Sequence, residues 1–183
     1  MKFKIIQIII LLYYNMMNIN LVKVTKTNIN KLLKLKVSKE QTNYVSPIKD
    51  IIKISKNTTE KYNNKPITYW LRAIKYKGYH VGIILLRFNT KPYIYKPPNY
   101  QPGAFLNKLM VATNIPELKN TQGLGIGKYA VLEAIKYAKY LGYKKLYTSY
   151  VVGKHSPAGF YKKIGFNDTG QKIWGEQELV LNL

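Results

Sequence analysis

Residues Gln122-Gly-Leu-Gly-Ile-Gly-Lys128 run directly into a segment with helical spacing. From Ile126 the apolar positions fall at Ala130, Ala134, Ala138 and Leu141, with Val131 and Ile135 beside them. Steps of three and four put these side chains on one stripe facing a core. Lys128, Glu133, Lys136 and Lys139 fill the remaining arc. A glycine turn at a helix start leaves several backbone N–H groups unpaired and aimed at one place, where the helix dipole also favours negative charge. Without Cβ atoms in the way, an anion can come close. The turn is suited to a diphosphate.

Two common phosphate motifs do not fit. A P-loop needs a glycine at position 122 and Ser or Thr after the lysine, where this chain has Gln122 and Tyr129. A dinucleotide fingerprint needs an acid about 20 residues on, where this chain has Lys144-Lys145-Leu146. Downstream, Gly142 is placed to end the helix. Lys145–Val151 is β-branched and aromatic, as a strand should be. Ser156 stands ready to cap a short helix with Pro157 at its first position. Phe160-Tyr161-Lys-Lys-Ile-Gly165-Phe166 follows, and Glu178–Leu183 reads as a short closing strand.

The Gln122, Gly125, Gly127 spacing and the Phe160–Phe166 segment resemble the GCN5-related N-acetyltransferase (GNAT) family, whose equivalent turn holds the pyrophosphate of coenzyme A. The likeness reaches upstream. Asn20–Val24, then Thr27 ahead of a helix through Leu32, Leu33 and Leu35, resembles the first strand and helix. Lys36–Pro47 is similar to the spermidine/diamine-acetyltransferase branch. Trp70–Tyr76 and Val81–Arg87 read as strands turning at Lys77-Gly78, and Ala104–Val111 as a fourth strand. The fold implied is one α/β domain over residues 18–183, with a mixed central sheet of about six to seven strands flanked by helices.

The resemblance implies acetyl-CoA as co-substrate and direct acetyl transfer to a primary amine of a small molecule. Gln122, Gly123, Leu124, Gly125, Ile126, Gly127 and Lys128 would hold the diphosphate, and Leu109, Met110 and Val111 the pantetheine arm. Tyr161 would protonate the departing thiolate. Glu40, in the segment similar to the acceptor side, is a candidate substrate contact. Two features depart from the family pattern: Ala112, where members often carry an acid, and Lys154, where asparagine is common. No general base stands out, and His155 has a minor claim. Two other readings stay open: transfer to protein or peptide amines, and a non-catalytic coenzyme-A or nucleic-acid binding module.

Formal charge is +22, from 30 basic and 8 acidic side chains. Arg72 and Arg87 are the only arginines, whereas phosphate and base readers draw heavily on arginine forks. The lysines travel with Asn, Ile and Tyr, all residues of A/T-rich codons, and base composition accounts for much of the excess. The field attracts a polyanion and repels a polycation, which counts against spermidine itself. With no cysteine there is no disulfide, no acetyl-cysteine intermediate and no zinc cluster. His80 and His155, far apart, make no metal site.

Thr113–Thr121 reads as irregular, and Lys91–Pro102, with four prolines, as an extended surface loop. Residues 1–17 stand apart as a hydrophobic extension: Lys2 and Lys4 precede Ile5–Tyr14, broken only by Gln7. Ten residues are too few for a membrane span, and Asn15-Met-Met-Asn18 offers no signal cleavage site. A start at Met17 and a membrane tether are the two readings of this leader. The partners expected are acetyl-CoA and an amine acceptor in the cytoplasm, with a homodimer and non-specific nucleic acid left open.

Overall fold

The computed structural model describes residues 18–57, 59–62, 64–90, 103–173 and 175–183. The expectations for the leader and for the proline-rich stretch 91–102 lie outside them. Seven strands form one sheet: β1 (Ile19–Lys23), β2 (Thr68–Tyr76), β3 (Tyr79–Thr90), β4 (Gly103–Val111), β5 (Lys145–Tyr150), β6 (Asn167–Ile173) and β7 (Glu176–Asn182). Their order is β1-β2-β3-β4-β5-β7-β6, and only β4 with β5 is parallel. Helices α1 (Ile29–Leu33), α2 (Ile48–Ser55), α3 (Ile126–Tyr140) and α4 (Ala158–Ile164) complete the domain. A two-stranded ribbon, Lys61–Tyr62 with Lys65–Pro66, stands beside it.

The core lies around β3, where every residue from Val81 to Phe88 is buried. Burial at both parities means that both faces of this strand are covered. Helices α1 and α2 pack on β3, and α3 packs across β1, β3 and β4. In α3, Ile126, Ala130, Ala134 and Ala138 form the expected buried stripe. Three small side chains in it let helix and sheet lie close. Tyr137 on the same helix stacks on Trp70 of β2 at 5.0 Å. Arg87, the charged exception in β3, is buried and pairs with Glu60, which also accepts a hydrogen bond from Tyr69 Oη.

Leu141 departs from the expected stripe: it is the C-cap of α3 and 43% exposed. Gly142, at φ 86°, turns the chain there, and Tyr143 N donates to Ala138 O at 3.1 Å to close the helix end. Helix α4 begins one residue later than expected. Pro157 stands at the N-cap, and Ser156 Oγ accepts from Ala158 N at 3.2 Å. The expected single closing strand is a hairpin, β6 and β7, turning at Gly175. Helix α2, unforeseen, buries Ile48, Ile51 and Ile52.

Candidate active site

The parallel partners β4 and β5 stay together for three register pairs only, Ala104 with Leu146, Phe105 with Tyr147 and Leu106 with Thr148. Thr148 Oγ1 donates to Leu106 O at 3.0 Å at the last of these. Beyond that point β4 runs on to Val111 along β3, and its other edge is parted from β5. The β3 register slips at the same place: Leu85 faces Lys108 and Leu86 faces Leu106, so Asn107 is the extra residue of a bulge. Asn107 Oδ1 is buried with no hydrogen-bond partner among the described residues. An orphaned buried acceptor of this kind marks a place where a ligand donor fits.

The parted strands open into a cleft of about 590 Å³. The turn before α3 lies on its rim, and Gly125, at φ 74°, is the N-cap. A side chain is strained in that left-handed region. The first helical bond runs from Tyr129 N to Gly125 O at 2.9 Å. The N–H groups of Ile126, Gly127 and Lys128 therefore have no acceptor within the helix. Asn120 fixes the approach by accepting from Gln122 N at 2.8 Å and donating to Gln122 O at 3.2 Å. Buried Thr121 donates through Oγ1 to Ala112 O, tying the end of β4 to the start of the turn.

Tyr161 on α4 reaches the same cleft from the β5 side. Burial pushes its phenol up to about 12; the Thr148 hydroxyl acts against that shift, and the charge of Glu176 adds to it. At ordinary pH this phenol keeps its proton. Glu176, the first residue of β7, also lines the cleft and accepts a hydrogen bond from Ser149 Oγ. The far wall comes from the segment between α1 and α2, which contributes Val37, Gln41, Tyr44, Val45 and Ser46. Tyr44 sits hard against the β5–α4 connection. Its Oη accepts from His155 N at 3.4 Å, and a Cβ on Gly153 would lie 2.3 Å from that oxygen.

The sequence of residues 37–166 matches the model of the acetyltransferase (GNAT) family. The chain belongs to the GNAT acetyltransferase family. It is an acyltransferase of that family, built on the single mixed-sheet domain that the resemblance implied. Solved structures share the fold. An acetyl-CoA-bound GNAT acetyltransferase from Elizabethkingia anophelis is 22% identical, with 91% of this chain and 99% of that one covered at a TM-score of 0.52. The PaiA N-acetyltransferase of Thermoplasma acidophilum in complex with coenzyme A is 18% identical, covering 91% and 100% at 0.56. An acetyltransferase of Bacillus subtilis in complex with coenzyme A is also 18% identical, covering 91% and 98% at 0.55. No curated protein matches the sequence.

In this GNAT domain, Leu109, Met110, Val111, Gln122, Gly123, Gly125, Ile126, Gly127, Lys128 and Tyr161 are gathered on one cleft. Leu124 packs toward the core instead, so only its main chain can serve the turn. Glu40 is exposed and outside the lining; hydrogen bonding to Ser38, then to its own backbone, holds its carboxyl below the usual range. His155 lines the cleft from an exposed position. His80, whose pKa is lowered by burial and then by Lys75 and Lys31, is not among the lining residues. Ala112 is fully buried. Among the described residues no group of three or more His, Asp or Glu side chains gathers. Nor, among them, is any helix long and apolar enough to cross a membrane. Sequence reasoning missed Glu176, Asn107 and Tyr44, because their places depend on a hairpin, a bulge and a long-range contact.

Proposed function

We propose that this GNAT domain transfers the acetyl group of acetyl-CoA directly to the primary amine of a small molecule. The observation that carries the reading is the shared cleft: Ile126, Gly127 and Lys128, whose N–H groups have no acceptor within the helix, and the buried Tyr161 line one space of about 590 Å³. Gln122 to Lys128 would bind the diphosphate, chiefly through main-chain N–H groups, with Lys128 adding charge. The open edge of β4 at Leu109, Met110 and Val111 would take the pantetheine arm, and Asn107 Oδ1 would accept from one of its amides. The same edge polarises the thioester carbonyl.

Acetyl-CoA supplies the activated acyl group. A primary amine has a pKa near 10.4 and attacks only as its free base. Its nitrogen forms the new bond to the carbonyl carbon, and the carbon–sulfur bond breaks. The departing thiolate takes the proton of Tyr161, and the phenolate recovers one from the acylated nitrogen. The segment Lys36–Pro47, similar to the spermidine/diamine branch, supports an acceptor role by its position, since five of its residues wall the cleft. The working compartment proposed is the cytoplasm, where acetyl-CoA is supplied.

Thiol release from acetyl-CoA, measured with small amines and with short lysine peptides, tests the reading. Release with small amines is expected. Release with peptides alone moves the acceptor class to proteins, and no release with either contradicts transfer.

A further inference from the structure

Among the described residues lining the cleft, Glu176 is the only acid. Ser149 Oγ holds its Oε2, which uses one of about four lone-pair sites on a carboxylate. The carboxylate lines the same cleft as the Tyr161 phenol, and its charge helps that phenol keep its proton. The walls of the cleft on the acceptor side combine apolar and aromatic side chains, Val37, Tyr44, Val45, Tyr150 and Val151, with the uncharged polar Gln41, Ser46 and Ser156. The other charged side chains on the lining, Lys108 and Lys128, are cationic, and the whole chain carries +22. One ammonium is matched here. A second would meet no other carboxylate among the described lining residues, only uncharged side chains or lysines, and a buried charge without an opposite partner is expensive.

We propose that Glu176, steadied by Ser149, anchors the ammonium of a singly charged primary amine with an apolar body, and that the site discriminates against polyamines. The proposal rests on the transferase reading above and narrows its substrate class. The carboxylate selects for charge, the Val and Tyr walls for an apolar group, and the cationic surroundings against a second amine.

Calorimetry on coenzyme A-saturated protein separates these terms with three probes: benzylamine, benzyl alcohol and spermidine. Wild type is expected to bind benzylamine more tightly than spermidine. Glu176→Gln, nearly isosteric, is expected to weaken benzylamine about tenfold or more and to leave benzyl alcohol unchanged. Ser149→Ala, which removes only the supporting hydrogen bond, is expected to weaken benzylamine by a smaller factor. Equal benzylamine binding by wild type and Glu176→Gln, no benzylamine binding at all, or tighter spermidine binding overturns the proposal. Coenzyme A is titrated alone as well. Absence of that heat contradicts the transferase reading, while the three-probe comparison on free protein still decides the anchor.

Discussion

The two arms of the cleft are built differently. The proposed coenzyme arm, from Leu109 through the Gln122–Lys128 turn into α3, would offer mainly main-chain groups, and it is fixed by a left-handed glycine and by Asn120 and Thr121. The proposed acceptor wall, from Val37–Ser46, the β5–α4 connection and Glu176, presents side chains that meet only after folding. Main-chain recognition suits a ligand that never changes. Side-chain recognition can be retuned by substitution without disturbing the sheet, so on the proposed reading the acceptor wall is where this chain's own specificity would reside.

That contrast predicts separable defects. The largest is at the junction of the arms: Tyr161→Phe should lower turnover about 100-fold while coenzyme affinity stays unchanged, checked by steady-state kinetics beside calorimetry. The same variant has a pH signature. A phenol raised from 10.0 to about 12 by burial stabilises the fold fully below the unfolded value, and that contribution is lost as pH rises through the folded one. Thermal melts at about pH 9 and about pH 11 should show a smaller alkaline decline for Tyr161→Phe than for wild type.

Next in size, Gly125→Val forces a β-branched residue to φ 74° at the N-cap of α3. Coenzyme A affinity should fall about tenfold or more, since a left-handed residue costs roughly 1–2 kcal/mol before any loss of contacts. Amine binding should be untouched. Gly153→Ala tests the other arm by driving a Cβ into Tyr44. It should raise the acceptor KM a few fold with coenzyme affinity unchanged, because the phenol end can shift. The smallest effect is at Glu40, which is exposed and off the lining: Glu40→Gln should change acceptor KM less than about twofold, as surface substitutions usually do.

Much of the coenzyme arm is legible in the chain because its signals are local. Glycine spacing announces the turn, and Ile126, Ala130, Ala134 and Ala138 announce the helix face. Tyr161 is legible through its neighbours Phe160, Gly165 and Phe166. Strand β6 was hidden because Asn167–Ile173 is an edge strand, polar and largely exposed, with no alternation to read. Helix α2 is only eight residues, and its stripe of Ile48, Ile51 and Ile52 is too short to separate from a buried strand by periodicity. Glu176 carries no local mark at all. It reaches the cleft because the hairpin at Gly175 sets β7 beside β5, with Ser149 in reach.

On the proposed reading, the main-chain groups of the 125–128 turn bind the diphosphate of coenzyme A. Calorimetric titration of coenzyme A into folded wild type and folded Gly125→Val decides this. Saturable heat for wild type, with affinity weakened about tenfold or more in the variant, is the result expected. No heat with well-folded wild type, or equal affinity for both proteins, would contradict it.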